Sequence, residues 1–307
     1  MERDSILRAN GLIFKKTAMR IIVLLLCVLG VSSFSPSTLK SLSLMYYTLL
    51  MLSLLSINTL YAQPKVYTTG NAHSHNDYEK PEPFYKAYTH QFGSIEADIF
   101  FLQESDDLFV AHYKSDLDTK RRTLDSLYLQ PLAKRIRENN GFVYSDTSRK
   151  LILLIDIKTE AVPTLNRLIE QLRNHPELIE ASTLRIVISG NRPPPDSFTV
   201  YPPFIFFDGV MGTHYSQEAL SRIPLFSGNF RDFSKWNGTG SIPGNERNEL
   251  LKTIQEAHRN HKPVRFWGAP DSIDAWKEFI KLGADYINSD HIEDLSKFLQ
   301  SLPKRKK

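Results

Sequence analysis

Thiol chemistry is almost missing from this chain. Its one cysteine, Cys27, sits inside an N-terminal hydrophobic stretch. Disulfides, a thiolate nucleophile and a cysteine-bound zinc are therefore excluded from everything that follows. A strong charge of either sign is missing too. The net charge is +4, part of it in the terminal "PKRKK", and no basic stripe points to nucleic acid. A glycine-rich phosphate loop after the first strand is also absent, since "NAHSHND" stands there. A doubly wound dinucleotide fold would need one. No internal repeat or low-complexity segment appears.

What is present begins with two apolar runs, "AMRIIVLLLCVLGVSSF" (18–34) and "LSLMYYTLLMLSLLSINTLYAQ" (42–63). The second ends in Leu-Tyr-Ala before Gln63, a small-residue cleavage site of the secretory kind. Residues 42–62 read as a signal peptide, which predicts a secreted or periplasmic protein. The first run reads as a membrane anchor, or as upstream sequence before a start at Met19 or Met45. The expected organisation is a hydrophobic region over 1–63, one catalytic domain over 64–300 and a basic tail over 301–307.

From residue 64 on, apolar strand-like runs alternate with helix-like ones. The clearest buried strand is "KLILLIDIKT", followed by the helix "VPTLNRLIEQLRNH". About eight such strands over roughly 240 residues give the rhythm of an α/β fold of the TIM (β/α)8 barrel type. "LFVAHY" reads as the third barrel strand. In such a barrel the C-terminal strand ends face one site.

Those ends hold a consistent set of side chains. Glu96 and Asp98 in "SIEADIF" are two apart and share a strand face. Asp156 lies in the apolar run "LLIDIK". Three buried carboxylates repel one another unless a cation joins them. All-oxygen ligands suit Mg²⁺ or Ca²⁺. His73 and His112 are expected on either side of that metal. One would accept the proton of an attacking hydroxyl or attack phosphorus itself, and the other would protonate the leaving oxygen. Lys158 adds a fixed positive charge. His75 and Asn76, in the turn after strand one, and Trp267, at the end of "VRFW", are read as substrate-binding. Asn76 and Asp77 also suit turn and cap positions.

Together "AH" at 72–73, "PFYKAYTHQFGSIEADIF", "LFVAHY", "LLIDIK" and "GADYINSDHIEDL" resemble the PLC-like phosphodiesterase superfamily. That group holds glycerophosphodiester phosphodiesterases, spider-venom sphingomyelinase D and phosphatidylinositol-specific phospholipase C. "HSHNDY" resembles the first motif of a subgroup with the fungal altered inheritance of mitochondria proteins. The resemblance spans about 66–300. It implies a TIM barrel, one divalent cation and two catalytic histidines: His73 and His112 as the catalytic pair, Glu96, Asp98 and Asp156 as metal ligands. Lys158 and Trp267 resemble a lysine and a tryptophan of the sphingomyelinase D branch. Glycerophosphodiesterases usually open with His-Arg-Gly, and His-Ser-His stands here instead. The missing arginine leaves Lys158 or Arg265 to grip phosphate.

The expected activity is that of a metal-dependent phosphoric diester hydrolase, acting as a monomer on a lipid headgroup or a glycerophosphodiester. Contact with a membrane is expected only through the N-terminal segment. Two other readings stand beside it: a secreted barrel that binds lipid or glycan without turnover, and an amidohydrolase-like metal hydrolase. The latter would need further histidines at later strand ends. If 42–62 is a signal peptide, N-terminal sequencing of exported protein will begin at Gln63; full-length protein recovered from the cytosol would remove that reading.

Overall fold

The structure, a computed structural model, describes residues 66–118 and 121–303. Both hydrophobic runs, the cleavage site at Ala62 and residues 304–307 of the basic tail lie outside the described residues. Among the described residues no helix is long and apolar enough to cross a membrane.

The strands are β1 (Ala72–Ser74), β2 (Ser94–Leu102), β3 (Asp107–Val110), β4 (Leu151–Ile157), β5 (Leu184–Gly190), β6 (Ile205–Phe207), β7 (Gly209–Val210), β8 (Phe226–Asn229), β9 (Val264–Trp267) and β10 (Ile287–Ser289). One sheet runs β10-β1-β2-β4-β5-β6, with β3 beside β2, and a second runs β7-β8-β9. Only Asp208 separates β6 from β7, and a parallel bridge joins Arg265 of β9 to Tyr286 just before β10. The result is an α/β fold built on parallel strands.

β3 is the exception, and it corrects an expectation. "LFVAHY" is not a parallel strand of the main series. It pairs antiparallel with β2, Ile99 against Val110 and Leu102 against Asp107. The connection from β2 is too short for a parallel crossover, which needs a dozen or more residues. His112 therefore reaches the strand ends from a hairpin.

Helices follow most strands: α1 (Tyr85–Thr89), α2 (Gln130–Glu138), α3 (Ala161–Arg173), α4 (Pro176–Glu180), α5 (Gln217–Ser221), α6 (Gly244–Arg259), α7 (Ile273–Leu282) and α8 (Ile292–Ser301). In α3 the buried Leu165, Leu168, Ile169 and Leu172 fall on one stripe of the 3.6-residue period. The hydroxyl of Ser272 caps the start of α7, and Gly283, with φ 90°, closes its end.

The main core packs helices against strands. A second, small cluster joins Ile152 and Leu154 of β4 and Val187 of β5 to Leu225, just before β8, flanked by Phe206 and Tyr286. Ile152, Leu154 and Asp156 alternate along β4 and so share a face. The face that is apolar low on β4 thus turns acidic at its C-terminal end.

Candidate active site

Parallel register brings the acids together. Asp98 pairs with Asp156, and Asp156 in turn with Ser189. Glu96 lies one step lower on the same face as Asp98. One ligand oxygen from each of Glu96, Asp98 and Asp156 falls within 4.8 Å of the others. A cavity of about 420 Å³ opens above them, lined also by His75, Asn76, His112, Lys158, Arg192, Arg265 and Trp267.

The carboxylates differ in their surroundings. Lys158 Nζ lies 2.9 Å from Asp98 Oδ2 and 2.9 Å from Asp156 Oδ1. Asp98 is 1% exposed, and its Oδ1 has no hydrogen-bond partner. Burial first, then the Glu96 charge, push its carboxyl up to about 6, against the pull of Lys158. For Glu96, burial works upward, but the His73 hydrogen bond and the Arg265 charge outweigh it and hold the carboxyl well below the usual range. For Lys158, burial works downward; Asp156 and Asp98 overcome it and hold the ammonium above its ordinary value. A buried carboxylate oxygen without a partner, within a hard-oxygen trio, fits a divalent cation of the Mg²⁺ or Ca²⁺ kind.

His73 does not face this cavity. It is 0% exposed, with Nε2 on Glu96 Oε2 at 2.8 Å and Nδ1 on Ser94 Oγ at 2.8 Å. Arg265 Nη1 lies 2.6 Å from the same Nε2. Burial, helped by the Arg265 charge, depresses its pKa to about 3, so the ring is neutral. His73, expected as a catalytic histidine at the metal, stands instead beneath the cavity and supports Glu96 from below. His75, two residues further along, lines the cavity. Both Asp290 oxygens lie 3.3 Å from its Nδ1. Burial pulls its pKa down, but Asp290 and Glu96 together raise it.

The loop after β1 explains the crowd of polar residues there. Asp77, wholly buried, accepts hydrogen bonds from Ser74 Oγ (2.7 Å), the Phe84 backbone N–H (2.6 Å) and Tyr128 Oη (2.9 Å). It closes the loop. Asn76 takes φ 45°, a left-handed conformation that asparagine tolerates, and faces the cavity. Trp267 stands at the rim, 43% exposed.

Arg265 is fully engaged. It pairs with Glu96 (3.1 Å) and Asp208 (3.7 Å) and donates to Ser227 Oγ (3.1 Å). It does not have a free guanidinium for phosphate. Arg192, after the end of β5, lines the cavity while donating to the Asp208 carbonyl oxygen. The strand-end residues singled out from the sequence do not include Arg192, Asp208 or Tyr78. The first two follow "VISGN" and sit in "FFDGV", so completing that reading finds them. His90, His175 and His258 lie outside this cavity, half-buried on Ser296, Asp125 and Asp285. Among the described residues the cavity histidines are His75 and His112, too few for the amidohydrolase pattern.

Comparison with known proteins finds phosphodiesterase families. The family described as AIM6-like phosphodiesterase domain matches residues 65–180, and the glycerophosphoryl diester phosphodiesterase family matches 263–293. Altered inheritance of mitochondria protein 6 from Kluyveromyces lactis is 26% identical, aligned over 74% of this chain and 72% of that protein. The Lachancea thermotolerans protein of that name is 26% identical over 73% and 64%. The homolog from Arthroderma benhamiae is 28% identical over 72% and 81%. The chain is a relative of the PLC-like phosphodiesterases, allied to these fungal proteins. A crystal structure of a glycerophosphodiester phosphodiesterase from Parabacteroides distasonis aligns with 77% of this chain and 97% of its own, at 13% identity and a TM-score of 0.47.

Two predictions follow from the carboxylates and from His75. Asp98→Asn should abolish divalent-cation binding in calorimetry, while the metal-free Tm stays level or rises, because a buried, raised carboxylate opposes folding once ionised. Gly190→Ala should weaken the same binding. Gly190 has φ +67°, and an added Cβ would collide with Asp156 Oδ1. Undiminished binding in both variants would place the metal elsewhere. The raised His75 steadies the metal-free fold fully below its ordinary value of about 6.5 and stops doing so as pH climbs through the raised value. The lowered Asp290 contributes above about pH 4 and loses its share as pH falls further. His75→Gln should therefore lower Tm near pH 5.5 and leave it nearly unchanged near pH 9; equal losses at both would refute the pairing.

Proposed function

We propose that this chain is a metal-dependent phosphoric diester hydrolase with His75 and His112 as its acid–base pair. The carrying observation is the trio of Glu96, Asp98 and Asp156, with ligand oxygens within 4.8 Å, beneath a cavity that also presents both histidines. The parallel strands are read as a closed (β/α)8 barrel. In support, only Asp208 interrupts β6 and β7, and the Arg265–Tyr286 bridge joins β9 to the β10 end.

A divalent cation held by Glu96, Asp98 and Asp156 would neutralise a bound phosphate and stabilise charge in the transition state. The rest is done by the chain. Arg192 offers a guanidinium to a non-bridging phosphate oxygen. His75 starts as the acid, because Asp290 favours its ionised form. It gives its Nε2 proton to the leaving oxygen as the old P–O bond breaks. His112 starts as the base and takes a proton from the attacking hydroxyl or water as the new P–O bond forms. Lys158 holds Asp98 and Asp156 at their separation. Trp267 offers an exposed ring to the group beyond the phosphate. The substrate class is a lipid headgroup or glycerophosphodiester, and export through 42–62 belongs to the same proposal.

The test is a screen of glycerophosphocholine, lysophosphatidylcholine, sphingomyelin and bis(p-nitrophenyl) phosphate, with and without EDTA. Turnover should vanish with EDTA and return with Mg²⁺ or Ca²⁺. His75→Ala and His112→Ala should each lose about 10²–10⁴ in turnover. The double variant should lose much less than the product, since the two act as a unit. A folded His73→Asn that is dead while His75→Ala turns over normally would overturn the choice of histidine.

A further inference from the structure

Tyr78 lies between a candidate metal ligand and a candidate catalytic base. Its Oη is 2.7 Å from Asp98 Oδ2, 2.8 Å from His112 Nδ1 and 2.9 Å from Asn76 Oδ1. The side chain is 1% exposed. Its loop is closed by Asp77, which accepts from the Phe84 N–H, and the Arg122 guanidinium donates to the Tyr78 carbonyl oxygen. The ring therefore has no room to turn away.

A phenol has one proton to give. An ionised Asp98 can only accept, carries the charge and is nearer than Asn76 Oδ1, so the Tyr78 proton goes to Asp98. The phenol oxygen is then an acceptor toward His112. A hydrogen bond at Nδ1 then requires that Nδ1 carry the proton. This leaves Nε2 with its lone pair, on the side of the ring away from Tyr78, in a residue that lines the cavity. The hydrogen bond made by one ring nitrogen decides the state of the other.

We propose that Tyr78 is a positioning residue that fixes His112 as the Nδ1–H tautomer, so that Nε2 is ready to take a proton. The catalytic part rests on the reading of His112 as a base; the tautomer itself does not. The relay also ties the orientation of His112 to the carboxylate that would hold the metal: Asp98 orients Tyr78, and Tyr78 orients His112. Asp98 Oδ2 is 3.6 Å from His112 Nδ1, so the hydroxyl carries the direct link.

The test is nitrogen NMR on protein labelled at histidine, with His112 assigned by its loss in His112→Gln, at a pH where the ring is neutral. Wild-type His112 should carry its proton on Nδ1. In Tyr78→Phe, which keeps the ring and removes only the hydroxyl, the proton should move to Nε2. Turnover of bis(p-nitrophenyl) phosphate should show kcat lower by about 10–100-fold, the usual cost of losing a supporting partner, with KM nearly unchanged. A wild-type His112 protonated on Nε2 overturns the proposal with no variant needed. So does an unchanged tautomer in Tyr78→Phe, or a full kcat in that variant where the wild type turns over. If the wild type turns over no phosphodiester, the hydrolase reading fails, while the NMR result still decides the Tyr78–His112 relation.

Discussion

The site depends on keeping several carboxylates on one inner face of the strands. Register sets Asp98 beside Asp156, with Glu96 a step below and Asp208 across from Arg265. Burying an uncompensated charge costs several kcal/mol, so counter-charges must be built in. Two ion-paired cations serve the four acids: Lys158 above, Arg265 below. Those two cations leave negative charge on the acids, part of which Arg192 and the raised His75 at the same cavity offset. The remainder is not spread evenly. Glu96 is held ionised by its neighbours, while Asp98 is pushed up to about 6 and has a buried oxygen without a partner. The shortfall lies at the upper end of the cluster, under the cavity.

The loop after β1 serves that arrangement in two ways. His73, Ser74 and Asp77 turn inward: one supports Glu96, and the other two knit the loop together. His75, Asn76 and Tyr78 are thereby presented at or beside the cavity. Substituting Asp77 would act on the site through all three. The polar crowd in "HSHNDY" is thus half scaffold and half site, and the scaffold half is the more deeply buried.

Much of this was legible in the sequence. Glu96 and Asp98 betray a shared face by their two-residue spacing, and Asp156 and Lys158 break an otherwise apolar run. Long amphipathic helices such as α3 and α6 follow from their periodicity. Which histidine of strand one lines the cavity was not legible. His73 and His75 have the same parity, so alternation places both on one face. Only depth separates them. Two residues span roughly 7 Å of strand, enough to put one beneath the cavity floor and the other in it. Nor could periodicity tell β3 from a parallel strand. Its apolar run looks the same either way, and direction is set by the short connection before it.

The position that usually carries arginine in the first motif of glycerophosphodiesterases is Ser74 here, and its side chain is buried on Asp77. From that position no side chain reaches the cavity without undoing the loop. A guanidinium for phosphate has to come from elsewhere. Arg265 is held by Glu96, Asp208 and Ser227 at the floor. Arg192 comes from beyond β5, on the far side of Asp156 from β2. In the proposed hydrolase the grip on phosphate would therefore come from a different strand end than the family pattern uses, although carboxylates and histidines still frame the same cavity. On the proposed reading, reaction class and substrate choice would be carried by separate parts of the chain: the first by β1, β2, β4 and the His112 hairpin, the second by the loops after β5 and β9, where Arg192 and Trp267 stand. Loops can change without disturbing strand register, so one reaction class is compatible with a substrate different from that of the glycerophosphodiesterases.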